Sequence, residues 1–294
     1  MKNRRVHLLL TVVVLVVVAT FVSFAALTSR GQSSRSASNT PKRTTPTSTR
    51  SNNANSVPAV FTEAAMQNVV LRNEMTWTFG GKQQRGWYLY DLLIGKTLNT
   101  QHETVTNAFA AELAHWQKKK GLRADGFLNE DSLMALVSQW QSNRLKSRTP
   151  ATPDQLILAP ATDFYDPSRA VELRQVERKT YTAYKEMIAA ANAELNLKPT
   201  DKYLKIVSAF RSPEYQEQLR RQSPDSGSAG LAVNSPHFTG RALDLYVGGS
   251  PVDTKDSNRA IQVNTPAYRW LVNNAERFGF RPYFYEPWHW EYVK

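Results

Sequence analysis

The stretch that decides the fold is FRPYFYEPWHWEYV, residues 280–293. It contains two runs rich in aromatic residues, residues 280–285 and 288–293, which we interpret as two adjacent strands. Upstream of this stretch, helical and strand patterns are mixed along the chain. Because mixed elements with adjacent strands favour antiparallel pairing, the sequence predicts an α+β C-terminal domain in which helices flank an antiparallel sheet.

The N-terminal part of the chain predicts a membrane anchor. Residues 8–27 are an uncharged run of 20 residues, and at about 1.5 Å per helical residue such a transmembrane helix spans a bilayer core of about 30 Å. Basic residues within residues 1–7 favour a cytoplasmic N-terminus and an extracytoplasmic remainder. We therefore expect a single-pass protein of the cell membrane. The alternative is a signal peptide that is cleaved to give a secreted protein, although the apolar region of signal peptides is usually shorter.

The rest of the chain divides by composition. Residues 28–57 are mostly Ser, Thr, Asn, Arg and Pro and predict a disordered linker. Residues 58–150 predict a small, mostly helical domain, and the Pro-rich residues 151–162 predict a second linker. The α+β domain then covers residues 163–294. Within it, Asp166-Pro167 followed by apolar residues at helical spacing predicts one long helix that ends before Pro199.

A helix pair is predicted within residues 108–142, where apolar residues recur at helical spacing on each side of a turn at Asp125-Gly126. Asn129 or Asp131 is expected to cap the second helix. This arrangement resembles small helical peptidoglycan-binding modules, which implies a wall-binding role for residues 58–150. A helical domain that serves only packing is the alternative.

The charge distribution argues against nucleic-acid binding. The net charge is +12, but residues 1–57 hold eight basic residues and no acidic residue. The remaining residues carry 29 bases and 25 acids, so the predicted folded part is only mildly basic. We expect no nucleic-acid partner. The chain also has no cysteine, which excludes disulfides and thiolate metal sites.

The segment SPHFTGRALD, residues 235–244, offers the first candidate metal ligands, His237 and Asp244. In the predicted strand, Asp244 lies within an apolar run, and a carboxylate there is costly unless it is paired or bound to a metal. Gly240 allows a tight turn that brings the imidazole back beside the carboxylate. The alternative is a loop histidine and an aspartate that caps a turn.

The segment EPWHWEY, residues 286–292, offers Glu286 and His289. On a regular strand their odd separation places the two side chains on opposite faces. Pro287 lies between them, and proline belongs at a bulge or a strand start. A bulge there turns both side chains into one cavity. The surrounding aromatic residues are expected to pack the core.

A third segment, SAFRSPEYQ, residues 208–216, places Arg211 after an apolar strand and before a helix. A cation at that point can face a substrate carbonyl or carboxylate. The alternative is a surface salt bridge.

In this order, the three segments resemble the zinc D-alanyl-D-alanine carboxypeptidases of the VanY type, over about residues 165–294. The resemblance implies that one Zn²⁺ ion is held by three ligands and that a glutamate is the catalytic base. It also implies that an arginine polarises the substrate carbonyl, that a serine contacts the terminal carboxylate and that a glutamine supports the pocket. The implied ligands are His237, Asp244 and His289, and the implied base is Glu286. The arginine is Arg211, the serine is Ser235 and the glutamine is Gln216.

The implied function is a membrane-anchored metallopeptidase that hydrolyses the D-Ala-D-Ala bond of peptidoglycan stem peptides. In the mechanism that the resemblance implies, a bound zinc ion would lower the pKa of a water molecule to about 7, and Glu286 would take the proton and pass it to the leaving amine. Two alternatives remain open. One is an endopeptidase of the same fold, and the other is a non-catalytic protein that binds the cell wall.

Overall fold

The C-terminal strands form the antiparallel pair that the sequence predicts. The computed structural model describes residues 61–223 and 231–294. In order, its strands are β1 Thr76–Phe79, β2 Lys82–Arg85, β3 Leu156–Leu158, β4 Gln175–Glu177, β5 Ile206–Ser208, β6 Ala242–Leu245, β7 Phe280–Tyr283 and β8 Glu286–Tyr292. The helices are α1 Thr62–Glu74, α2 Asp91–Leu98, α3 Asn107–Lys119, α4 Glu130–Ser142, α5 Arg178–Leu195, α6 Pro213–Gln222, α7 Asp256–Val263 and α8 Pro266–Asn274.

The main sheet has four strands in the order β5-β6-β8-β7, and every neighbouring pair is antiparallel. Two smaller antiparallel pairs, β1 with β2 and β3 with β4, accompany it. The architecture is therefore α+β with small antiparallel sheets, as predicted. The central strands β6 and β8 have no exposed residue, although β6 contains Asp244 and β8 contains Glu286, His289 and Glu291. These buried polar side chains need partners inside the protein.

The predicted helix pair of the N-terminal region is present as α3 and α4. The Thr106 side chain caps α3 by accepting from the backbone N–H of Phe109, and Asn129 caps α4 through the N–H of Ser132. Asn129 is thus the cap, and Asp131 lies in the first turn, where its charge favours the helix dipole.

The N-terminal region, by which we mean residues 61–150, shares one hydrophobic core with the main sheet. The rings of Phe79 and Phe284 lie 4.7 Å apart, and Phe284 also packs against Tyr90 and Trp140 at 5.4 and 5.7 Å. Phe284 follows β7 at the turn into β8, so the turn is buried against the N-terminal region. All the described residues belong to one compact unit. The predicted division at residues 151–162 remains a prediction.

Two local predictions differ from the structure. The long helix begins at Arg178, capped by Glu177, and not near residue 166. The Asp166 carboxylate accepts from the backbone N–H and the hydroxyl of Ser168, which closes a turn instead of starting a helix. The following residues Gln175–Glu177 pair with Leu156–Leu158 as a strand, so the expected linker contains part of a sheet. Pairing between distant segments overrides the local helical spacing here.

The predicted membrane anchor, residues 8–27, and the predicted linker, residues 28–57, lie outside the described residues. Within residues 61–223 and 231–294, no helix is both long and apolar enough to cross a bilayer.

Candidate metal centre and its cleft

His237 is positioned by a tight turn that precedes β6. The turn is a short 3₁₀ helix, Pro236–Thr239, in which the Ser235 hydroxyl accepts the backbone N–H of His237 at 3.3 Å. Gly240 ends the turn with a φ of 65°, in the left-handed region. A Cβ at this position would lie 3.0 Å from the backbone nitrogen of Glu177, so both conformation and space require glycine.

Asp244 and His289 are brought together by strand register. They are direct partners in the antiparallel pairing of β6 with β8. Oδ1 of Asp244 lies 2.9 Å from Nδ1 of His289 and 3.3 Å from Nε2 of His237. All three side chains are buried, and their ligand atoms lie within 4.8 Å of one another. The three predicted ligands therefore meet at one point.

The far side of each imidazole is fixed by a second contact. Nδ1 of His237 lies 2.6 Å from the carbonyl oxygen of Ala209. Because a carbonyl can only accept, Nδ1 carries the proton, and the lone pair of Nε2 faces Asp244. Nε2 of His289 lies 3.1 Å from Oε1 of Glu291, which leaves Nδ1 as the nitrogen that faces Asp244. Such outer contacts orient histidine ligands in metal sites.

The charges of this cluster are strongly coupled. Burial, with a contribution from Arg211, lowers the pKa of His237 to about 4. Burial also lowers the pKa of His289, but hydrogen bonds to Asp244 and Glu291 outweigh it and raise the value to about 9. Burial raises the pKa of Asp244, yet His237 and Arg211 hold it well below its usual range. Asp244 is therefore an anion, as a metal ligand must be.

The donor set fits a zinc ion. Two imidazole nitrogens and one carboxylate oxygen form the three-ligand pattern of catalytic zinc sites, which leaves a fourth position open. Ligands at about 2.0–2.1 Å from zinc in tetrahedral geometry lie roughly 3.3 Å apart. The two distances from Oδ1 of Asp244 to the imidazole nitrogens, 2.9 and 3.3 Å, are close to that spacing.

Glu286 lies beside these ligands. Its Oε2 atom is 3.9 Å from Nδ1 of His289, and both residues line one cleft. The register of β7 against β8 shifts between Pro282 and Tyr283, so the hairpin is irregular where Glu286 begins β8. This irregularity lets residues three apart face the same cavity, as the proline predicts. Burial raises the pKa of Glu286 to about 8.

The comparison with known families bears on this domain. Residues 173–294 match the family model of VanY, D-alanyl-D-alanine carboxypeptidase. Residues 173–294 form a VanY-type domain. The match contains all seven residues that the sequence singled out, whereas residues 61–172 lie outside it. Comparison with curated proteins gives no match.

Solved structures resemble the chain more distantly. The LdcB LD-carboxypeptidase is 24% identical over 48% of this chain and 69% of its own, with a TM-score of 0.36. A Zn(II) complex of a mutant of the vancomycin resistance D,D-pentapeptidase VanY is 19% identical over 53% of this chain and 89% of its own, with a TM-score of 0.33. VanYB in complex with D-alanine-D-alanine is 23% identical over 47% and 86%, with a TM-score of 0.28.

Arg211 of the VanY-type domain lies against the metal ligands and not at the surface. Its Nη2 atom donates to Oδ2 of Asp244 at 2.5 Å, and its Nε donates to the Ser208 hydroxyl at 2.9 Å. Nη1 donates to Oε1 of Gln216 at 3.3 Å. Arg211 lines the cleft, whereas Gln216 orients Arg211 from behind. The alternative of a surface salt bridge is therefore wrong.

Ser235 is buried at the mouth of the turn that carries His237, and it lines the same cleft. Its hydroxyl accepts from the His237 backbone while its hydrogen is free to point toward a ligand. The position agrees with the predicted contact to a substrate carboxylate, which stays a prediction.

Sequence reasoning missed Glu291. This carboxylate is fully buried and accepts from His289, from the Arg144 guanidinium and from the backbone N–H of Leu145. A signal was present, because residues two apart on a strand share a face, so Glu291 accompanies His289. Its partner Arg144 could not be inferred, since it lies far away in the N-terminal region.

The cleft has two walls. The VanY-type domain supplies the metal ligands, Glu286, Arg211 and Tyr283, and the N-terminal region supplies the opposite side. The residues of that side are Phe79, Gly80, Gln141, Arg144 and Arg148. The volume of the cleft is about 310 Å³, at the lower end of the range for small-ligand sites.

Proposed function

We propose that this protein is a zinc metallopeptidase that hydrolyses the D-Ala-D-Ala bond of peptidoglycan stem peptides. The observation that carries the proposal is the convergence of His237, Asp244 and His289 within 4.8 Å, beside the buried Glu286, in one open cleft. The family model that matches this domain supports the choice of substrate.

In the proposed mechanism, His237, Asp244 and His289 hold the ion. When bound, a zinc ion in such a site acidifies a water molecule and polarises a carbonyl group. Glu286 accepts the proton of the attacking water and donates it to the leaving amine. Its burial suits both steps, because a carboxylate away from solvent holds a proton more readily than an exposed one.

Arg211 has two tasks in this proposal. Its bond to Asp244 fixes the orientation of that ligand, and its guanidinium at the edge of the cleft stabilises negative charge that develops on the substrate oxygen. Gln216 and Ser208 hold the guanidinium plane in place. Ser235 is proposed to bind the terminal carboxylate.

The test is release of free D-alanine from a pentapeptide that ends in D-Ala-D-Ala. We expect release by the zinc-loaded full-length protein, loss after treatment with a chelator, and recovery when zinc is restored. Mass spectrometry of wall fragments separates the alternatives. Internal cleavage without D-alanine release indicates an endopeptidase, and binding without cleavage indicates a wall-binding protein.

We further propose that residues 8–27 anchor the protein in the cell membrane, with the peptidase domain outside the cytoplasm. The uncharged run and its basic flank support this proposal. Membrane fractionation tests it. Retention of the full-length chain after alkaline carbonate washing is expected, whereas a shortened chain in the medium would indicate signal cleavage.

A further inference from the structure

The N-terminal wall of the cleft contains two arginines, Arg144 and Arg148, that the family match does not include. They share the cleft with Glu286, His237 and His289. A cation in such a position is either part of the protein's own network or available to a ligand. The hydrogen bonds of the two side chains separate these roles.

Arg144 belongs to the protein's own network. Its Nε and Nη2 atoms donate to Oε1 of Glu291 at 3.1 and 2.5 Å, and Nη1 donates to Oε1 of Gln141 at 2.9 Å. The centre of its guanidinium lies 3.9 Å from the centroid of the Tyr283 ring. Its charge is therefore balanced, and its planar face is covered.

Arg148 has no such partner. Only Nη1 is engaged, and it donates to the carbonyl oxygens of Leu145 and Ser147. Among the described residues, no carboxylate lies within ion-pairing distance of this guanidinium, and its Nε and Nη2 atoms make no hydrogen bond. The side chain nevertheless lines the cleft and is half-buried.

The surroundings of Arg148 favour an incoming anion. The pKa of the Arg148 guanidinium is lowered, mainly by burial and also by the charge of Arg144, while the charge of Glu291 partly opposes the shift. Glu291 is already bound to Arg144 and His289, so it offers Arg148 only a distant attraction. A partly buried cation without a hydrogen-bonded anion costs free energy that a bound carboxylate recovers. The fork of N–H donors also matches a carboxylate in geometry.

We propose that Arg148 binds a carboxylate of the peptide substrate, so that residues 61–150 complete the active-site cleft and help to set its specificity. This inference rests on the proposed function, because it takes a peptide as the ligand. Such a peptide has two sources of carboxylate, its C-terminus and an acidic side chain. Either one presents the same group to the guanidinium.

The experiment compares Arg148→Gln with wild-type protein in hydrolysis of a pentapeptide that contains Glu and ends in D-Ala-D-Ala. We expect KM to rise about 10- to 100-fold, because the variant loses a hydrogen bond to a charged group, which contributes about that much to affinity. We expect kcat to change little, because the lost contact binds substrate and transition state equally. Arg148→Lys keeps the positive charge but loses the forked pair of N–H donors, so its KM should lie between those of the wild type and Arg148→Gln. Arg123→Gln is the matched control, because Arg123 is exposed, pairs with Asp125 and does not line the cleft.

A binding measurement identifies the carboxylate without turnover. Peptide affinity is measured by calorimetry on zinc-loaded Glu286→Gln protein, with and without Arg148→Gln. Three peptides are used: the parent, one with an amidated C-terminus, and one with Gln in place of Glu. Arg148→Gln should weaken binding of the parent peptide. It should have no effect on the affinity of the one peptide in which the carboxylate bound by Arg148 has been replaced by an amide, either at the C-terminus or at the Glu side chain.

Equal affinity of both proteins for the parent peptide would overturn the inference, as would a loss that persists with both amidated peptides. Failure of the proposed function looks different. In that case, the wild-type protein releases no D-alanine, and the calorimetric comparison still decides whether Arg148 binds a peptide carboxylate. A folded far-UV circular dichroism spectrum is required of every variant.

Discussion

Nε2 of His289 donates a hydrogen bond of 3.1 Å to Oε1 of Glu291, a carboxylate with no exposed surface. The same oxygen accepts from Arg144, which belongs to the N-terminal region. The carboxylate of Glu291 therefore links Arg144, on the N-terminal side of the cleft, to the imidazole of His289 on the other side. This relationship ties the geometry of the proposed metal centre to residues outside the matched domain.

Glu291→Gln should weaken zinc binding. The amide keeps the size of the side chain but removes the charge that orients His289 and makes it a better ligand, so we expect Kd for zinc to rise about 10- to 100-fold. Competition with a chromophoric chelator measures it. Glu276→Gln is the control, since Glu276 is exposed and pairs with Arg281 at the surface. Unchanged affinity in Glu291→Gln would show that the contact does not support the metal.

Arg144→Ala should destabilise the fold. It leaves Glu291 buried without its guanidinium partner, and breaking such a pair costs on the order of 3 kcal/mol in free energy of unfolding. Urea denaturation measures it. Arg85→Ala is the contrast, because its pair with Glu74 is exposed and should contribute about 0–1 kcal/mol. Equal costs for the two variants would contradict the role of the buried pair.

Glu286→Gln should keep zinc and lose activity. No ligand atom is removed, but the amide cannot accept the proton from water, so we expect kcat to fall by about 10²–10⁴-fold. Zinc content by elemental analysis and D-alanine release are measured on the same sample. Near-normal turnover would remove Glu286 from the mechanism.

His289→Ala should lose the metal. The change removes one of the three proposed protein ligands and the side-chain contact between β8 and Asp244. Zinc content after dialysis is the measurement, and we expect it to fall far below one ion per chain. Full stoichiometry after dialysis would refute ligation by His289.

Gly240→Ala should be more costly than Gly121→Ala. Both glycines have a positive φ, of 65° and 70°, and a left-handed conformation costs an L-residue about 1–2 kcal/mol. A Cβ at position 121 meets nothing within 4 Å, whereas at position 240 it meets Glu177 and Leu156 at about 3 Å. Thermal unfolding should show the larger loss for Gly240→Ala, along with reduced zinc affinity, because His237 lies on the same turn. Equal losses would contradict the steric part of this explanation.

Much of the site is legible in three short segments. The apolar run around Asp244 predicts strand β6, the proline in EPWHWEY predicts the irregular hairpin, and Gly240 predicts the turn. These signals are local, because a backbone conformation depends on a few neighbouring side chains. The same local reasoning failed at Asp166, whose side chain closes a turn instead of capping a helix. It also failed at Gln175–Glu177, which pairs as a strand with Leu156–Leu158 instead of continuing a helix.

The sequence by itself determined the chemistry: two imidazoles, two carboxylates and a cation, in segments whose local patterns set a turn, a strand and a hairpin. Only the tertiary structure decided that Asp244 faces His289 across β6 and β8, and that Arg144 reaches Glu291 from the N-terminal region. Register and packing depend on burying apolar surface contributed by distant parts of the chain. No local pattern records which distant side chain will fill a given space.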